Sequence, residues 1–242
     1  MKKFFLYALA IVTVAGMISS CDKDKKPSGG GGGGGQEVAE LITIDGDFAD
    51  WDAATAASSF ELEAEAPYAE GLIAMKAIAD DSNIYIYFEY VLAEEQGDNA
   101  PFEIFIDADN NVLKGGASWL WDPIGYEYML EDETGFYAEG AVRDMSESMN
   151  IYNYDGVDGA DAWGEGGHLT QLEVSAFCES AGKVAGDVVK VEVSVLRSVV
   201  NCLKSGKCGV GLCAYTSGWA TSGLLPQGEG AGTEPLLEVA LP

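Results

Sequence analysis

From residue 41 to the end of the chain, apolar and polar side chains alternate with a period of two, and this pattern confines the fold to β-structure. Ile84, Ile86 and Phe88 share one face of an extended segment, while Tyr85, Tyr87 and Glu89 share the other. Phe102, Ile104 and Ile106 oppose Glu103 and Phe105 in the next segment. The pattern returns in Leu172, Val174 and Ala176, and again in Val189, Val191, Val193 and Val195. Further candidate strands lie near 41–44, 58–65, 72–79, 126–131, 135–142, 209–215 and 236–241. Asp45-Gly46, Asp80-Asp81-Ser82-Asn83, Asp109-Asn110-Asn111 and Gly182 separate them as turn signals. No long stretch with helical spacing competes, and no repeat of fixed period is present. About ten short strands in roughly 200 residues predict an all-β fold, an antiparallel β-sandwich.

The first 39 residues do not take part in that pattern. Lys2 and Lys3 precede an apolar run from Phe4 to Ile18, and the small residues Ser19 and Ser20 precede Cys21. Charge, apolar core and cleavage site in that order describe a secretory leader. The segment Ile18-Ser19-Ser20-Cys21 resembles the lipobox of bacterial lipoproteins, in which the cysteine is acylated, with palmitate among the chains, and the leader is cut before it. An ordinary signal peptide or an uncleaved anchor is the alternative, although the apolar run is short for a membrane span. After Cys21, Asp22 to Ser28 is charged and Gly29 to Gly35 is unbroken glycine. Such a segment cannot bury enough surface to fold and reads as a flexible tether. The expected organisation is a signal peptide at 1–20, a lipidated Cys21 with linker at 21–39, and one sandwich domain at 40–242. The expected location is the bacterial outer membrane, on its periplasmic or its cell-surface face.

The chain carries 13 Lys and Arg against 40 Asp and Glu, a formal net charge of −27, and loss of Lys2 and Lys3 with the leader makes it more negative still. Such a surface excludes nucleic acid and anionic lipid as partners. It is compatible with a neutral ligand such as a glycan or with divalent cations. Beyond Cys21 four cysteines remain, Cys178, Cys202, Cys208 and Cys213. An even count in an exported chain points to disulfides. Three connectivities are open, and the spacing favours Cys202 with Cys208 and Cys178 with Cys213. The gaps between these cysteines match no compact zinc knuckle.

Ile44-Asp45-Gly46-Asp47-Phe48-Ala49-Asp50-Trp51 resembles the opening motif of carbohydrate-binding module family 9 and the related DOMON-like sandwiches. Three later segments fall in the same order: Asp81 to Ile86, Phe102 to Asn110, and Tyr126 to Glu131. The resemblance spans about residues 42–241, with Leu236 to Leu241 as its last strand. It implies a β-sandwich in which tryptophans clamp a sugar, and family members that often bind calcium. The residues for such a clamp are Trp119, Trp121, Trp163 and Trp219, in or beside loops, with Tyr126, Tyr152 and Tyr154 near them. A pyranose lays its C–H face on a flat ring, so binding candidates are Trp119, Trp121, Tyr126, Trp163 and Trp219; each could equally be a buried ring. Trp51, beside the opening turn, is read as a core residue.

Asp107, Asp109 and Asn110 place several oxygens within one turn, which suits calcium; the same residues are also ordinary hairpin residues. Nothing in the sequence selects a catalytic pair from 40 carboxylates, and the single histidine, His168, lies in a Gly-Gly-His loop with no nucleophile elbow. Haem ligation would rest on that histidine and a methionine such as Met129, Met145 or Met149, without an attachment motif. The sequence therefore predicts a membrane-anchored, non-catalytic carbohydrate-binding lipoprotein serving a glycan-capturing or glycan-degrading assembly. The alternative is a structural or adhesive surface lipoprotein that contacts another protein.

Overall fold

A computed structural model describes residues 41–54, 57–61, 72–91, 101–118, 120–132, 142–144, 149–173, 177–186, 188–202, 206–216, 218–226 and 236–242. The signal peptide, Cys21, the linker, Trp119, the expected strand at 135–141 and the end of the one at 172–176 lie outside the described residues.

Two antiparallel sheets face each other across one core. The first runs in the order β1 (Ser58–Glu61), β2 (Leu72–Ala79), β3 (Asn83–Val91), β12 (Val188–Leu196), β11 (Cys178–Ala185) and β8 (Val142–Asp144). The second runs β10 (Leu169–Gln171), β9 (Met149–Tyr154), β7 (Tyr128–Asp132), β4 (Phe102–Asp107), β13 (Gly206–Tyr215) and β14 (Thr221–Leu225), with β15 (Leu237–Leu241) also paired to β13. A hairpin of β5 (Gly116–Ser118) and β6 (Trp121–Tyr126) stands apart from both. The expected sandwich is present.

Alternation decides what fills the space between the sheets. Ile84, Ile86, Phe88, Val191, Val193 and Val195 project inward from the first sheet; Phe102, Ile104, Ile106, Val210 and Leu212 meet them from the second. Where the sequence predicts a strand near 41–44, the structure has bends instead: Ile42 is fully buried, but the segment lies over the outer face of the first sheet. The segment expected as one strand at 126–131 is split at Glu127, because β6 belongs to the separate hairpin and β7 to the second sheet.

The opening Ile-Asp-Gly…Trp segment has a structural role with a clear cause. Glu192, on the outward face of β12 and fully buried, accepts from the backbone N–H of Asp45 at 2.8 Å, of Gly46 at 2.6 Å, and from the Trp51 indole at 3.2 Å. Gly46 takes φ 78°, which glycine adopts without steric cost. The short helix α1 (Ala49–Ala53) then delivers Trp51 onto Tyr87. One carboxylate thus meets three donors and latches the chain's entry to the sheet, as expected of Trp51.

The cysteines do not follow the sequence expectation: none of the four is in a disulfide. Cys178 faces the core between the sheets, whereas Cys213 lies on the outward side of the second sheet, so a Cys178–Cys213 pair is ruled out by placement. Cys202 and Cys208 are buried together, with their thiols in hydrogen-bonding reach of each other.

Candidate functional site

The outward face of the second sheet carries an arrangement that the first sheet lacks. Its lower half is closed by the β5–β6 hairpin, whose Trp121 lies edge-on to Phe105 and donates its indole N–H to the Pro226 carbonyl at 2.8 Å. Gly211 makes that closure possible, since a Cβ there would stand 3.1 Å from the Trp121 ring and 2.6 Å from Leu236. Tyr126 packs on Phe105 and Tyr154 in the same cluster. Trp121 and Tyr126, both expected as sugar platforms, are therefore core rings, 0% and 2% exposed, with no face left for a ligand.

Beyond the hairpin, one cross-strand row reads Leu224, Cys213, Glu103, Glu131, Asn150. Glu103 and Glu131 are register partners on β4 and β7, and both are buried. Their carboxyl groups hydrogen-bond to each other, which requires a proton on one of them. The Tyr215 hydroxyl donates to Glu103, and the Tyr152 hydroxyl donates to Glu131 at 3.3 Å. Burial pushes the Glu103 carboxyl up to about 7; the Tyr215 bond opposes this and the Glu131 carboxylate reinforces it. Burial likewise raises the Tyr215 hydroxyl, so it remains a donor.

At the edge of this row the Trp219 ring packs 5.4 Å from Tyr215, tilted by 47°, and stays 46% exposed. Its backbone has φ 61°, a left-handed conformation that costs a bulky residue about 1–2 kcal/mol. A tight turn enforces it: Trp219 N–H donates to the Thr216 carbonyl at 2.9 Å, and Thr216 N–H donates to Ala220 at 2.8 Å. Local strain holding an aromatic ring half in solvent is the kind of outlier that clusters at binding sites.

Trp163 is exposed as a platform would be, but it sits elsewhere, on the 155–168 loop, where its N–H is held by Asp161 at 2.9 Å. No ring contact joins it to Trp219 among the described residues. His168 is an exposed partner of Asp155 on the same loop.

The calcium candidates are partly regrouped. Asp107 and Asp109 come together with Glu127, their oxygens within 4.8 Å of one another, while Asn110 serves as the left-handed turn residue with φ 54°. Three carboxylates are a donor set suited to a hard divalent cation. Burial raises Asp107 to about 6 and Glu127 to about 7; bonds from backbone N–H groups, Asn111 to Asp107 and Ala108 to Glu127, oppose the shift.

Sequence reasoning missed Glu103, Glu131, Tyr215 and Glu127 as site residues. Alternation alone put Glu103 and Phe105 on a solvent face, but an aromatic residue on the polar side of a strand was the visible sign that this face is covered. Glu127 had no such sign, because its approach to Asp107 follows from its N–H pairing with the Ile106 carbonyl at 3.0 Å.

No protein-family model and no curated protein sequence matches the chain. Among solved structures it is similar to a carbohydrate-binding module of family 9 from Caldicellulosiruptor kristjanssonii in complex with glucose, with a TM-score of 0.39 and 13% identity over 84% of this chain and 92% of that one.

Proposed function

We propose that this protein is a lipid-anchored, non-catalytic carbohydrate-binding lipoprotein whose sugar site is the Trp219–Tyr215–Glu103–Glu131 face of the second sheet. The observation that carries the reading is Trp219: a strained turn holds its ring half exposed against Tyr215, whose hydroxyl is bonded to a buried carboxyl. A sugar ring packs its C–H face on an indole, and its hydroxyls need both donors and acceptors. A carboxyl pair sharing one proton, flanked by two tyrosine hydroxyls, supplies both at once. Cys21 would carry the acyl anchor and the glycine linker would hold the domain off the outer membrane, where the protein would serve glycan capture or degradation. Calcium on Asp107, Asp109 and Glu127 would stabilise the domain rather than touch the sugar.

A glycan array on the full-length protein in nonionic detergent, with and without chelator, tests the reading. We expect a neutral saccharide to bind and to perturb tryptophan fluorescence, with binding lost in Trp219→Ala. Absence of any bound saccharide would sink it. Cys21→Ser should leave the membrane fraction after a carbonate wash, and retention there would remove the lipid anchor from the proposal.

A second reading, contact with another protein, is favoured by a different surface. Val112, Leu113, Val157 and Trp163 are all exposed. Their two loops are tied together by the Lys114–Asp158 ion pair and by Gly159 N–H to the Gly115 carbonyl at 2.9 Å. An apolar cluster on loop tips fits a protein contact better than a sugar.

A further inference from the structure

The outward face of the first sheet holds a cavity of about 380 Å³, on the other side of the sandwich from the proposed sugar face. Lys76 of β2, Lys190 of β12 and Lys183 of β11 line it, with Phe48, Trp51 and Tyr87 as an aromatic wall. The ammonium groups of Lys76 and Lys190 lie 5.8 and 6.0 Å from the centre of the Tyr87 ring.

Three lysines in one place are unexpected in this chain. Five of its 13 basic residues (Lys2, Lys3, Lys23, Lys25 and Lys26) precede residue 37, while only Asp22 and Asp24 of its 40 acids do. The folded part thus has eight basic residues, and three of them converge here. In so acidic a surface a lysine finds a carboxylate easily, yet only Lys190 does, with Glu89 at 3.3 Å. Lys76 donates to the Trp51 carbonyl at 3.5 Å, and neither it nor Lys183 forms an ion pair among the described residues. Moreover, Lys183 and Lys190 are direct register partners. Like charges opposed across an antiparallel pair destabilise a sheet, and nothing in the packing requires them.

We infer that this cavity binds an acidic sugar, a ring carrying a carboxylate or a sulfate ester, with its anionic group toward Lys183 and Lys190 and its ring on the aromatic wall. The carboxylates that also line the cavity shape this choice. Glu89 is already engaged by Lys190 and by the Tyr87 hydroxyl, while Asp47 and Asp52 belong to the opening segment and α1 rather than to β11 or β12. The positive end of the cavity is therefore the β11–β12 side. A bare inorganic anion would leave the aromatic wall unused, whereas the volume lies in the range of small-molecule sites.

Calorimetric titration of the full-length protein in nonionic detergent with glucuronate, with glucose 6-sulfate and with glucose tests the inference. At least one acidic sugar should bind more tightly than glucose, and the advantage should shrink as salt is raised. Lys183→Gln should weaken that binding roughly tenfold, Lys183→Arg should restore most of it, and Trp219→Ala should leave it unchanged. Melting curves of the variants check that each is folded. The inference is overturned if neither acidic sugar binds better than glucose, or if Lys183→Gln has no effect. Loss in Trp219→Ala instead would place the anion on the other sheet and overturn it equally. Because the two sites lie on different sheets, either can fail without the other.

Discussion

Each sheet buries glutamate on its outward face, and the two cases differ in what the carboxyl meets. Glu192 of the first sheet faces three N–H donors, two from the backbone and one from Trp51. Burial lifts its pKa, and those donors oppose the shift. Glu103 of the second sheet faces Glu131 and a tyrosine hydroxyl. A carboxyl group that accepts from three N–H groups is a fastener, its acceptor capacity taken up by the protein itself. A carboxyl opposed by another carboxyl keeps a proton and holds donor and acceptor capacity ready beside an exposed ring. Burial alone does not separate structure from site; the partner set does.

The hardest test of this contrast is Glu192→Ala. It leaves three N–H groups without their acceptor and should cost about 3–5 kcal/mol of stability in denaturant melts. A cost below about 1 kcal/mol would mean that Glu192 is not the fastener.

The proton held on the second face gives the next largest effect. Glu103 titrates at about 7 rather than 4.5, Glu127 also at about 7, and Asp107 at about 6 rather than 3.8. An acid whose pKa is raised on folding keeps its proton longer in the native state than in the unfolded one. The stability contributed by these three groups should therefore be fully present below about pH 4, be lost as pH rises to about 7, and then level off, with roughly 3 kcal/mol from Glu103. Glu103→Gln should flatten that part of the slope. Calcium, if held by Asp107, Asp109 and Glu127, should flatten the remainder, and chelator should restore it. A pH–stability curve identical in Glu103→Gln and the parent would break the comparison.

The thiols between and behind these faces sharpen it further. Oxidation of the reduced protein with a small disulfide such as oxidised glutathione should join only Cys202 and Cys208, by exchange that releases two reduced glutathiones. Closing so short a loop should add roughly 2 kcal/mol. Peptide mapping that found Cys213 cross-linked would contradict its place behind Glu103.

The smallest expected change in stability falls on Trp219, the ring of the proposed sugar site. Trp219→Gly relieves the left-handed strain and should raise stability by about 0.5–1 kcal/mol, while abolishing saccharide binding. A stabilised variant that still binds would move the site away from Trp219.

The period-two pattern was enough to set the class of fold, because a strand with one side in a core must alternate. It placed the inward residues of β3, β4 and β12 correctly for the same reason. The Asp45-Gly46 turn was legible because only a few residue types tolerate its backbone. What the pattern could not express is which outward faces are covered. Trp121 and Tyr126 read as loop aromatics until the hairpin carrying them folded over β4, and Glu103 read as a surface charge until Glu131 and Tyr215 met it on the assembled sheet. Glu192 with Asp45, Lys183 with Lys190, and Glu127 with Asp107 are likewise neighbours by strand order and register. A chain determines by itself the periodicity of each segment, since that depends on residues two apart. Which carboxyl meets an N–H, another carboxyl or a lysine depends on residues up to 147 positions apart, and only the assembled sheets bring those together.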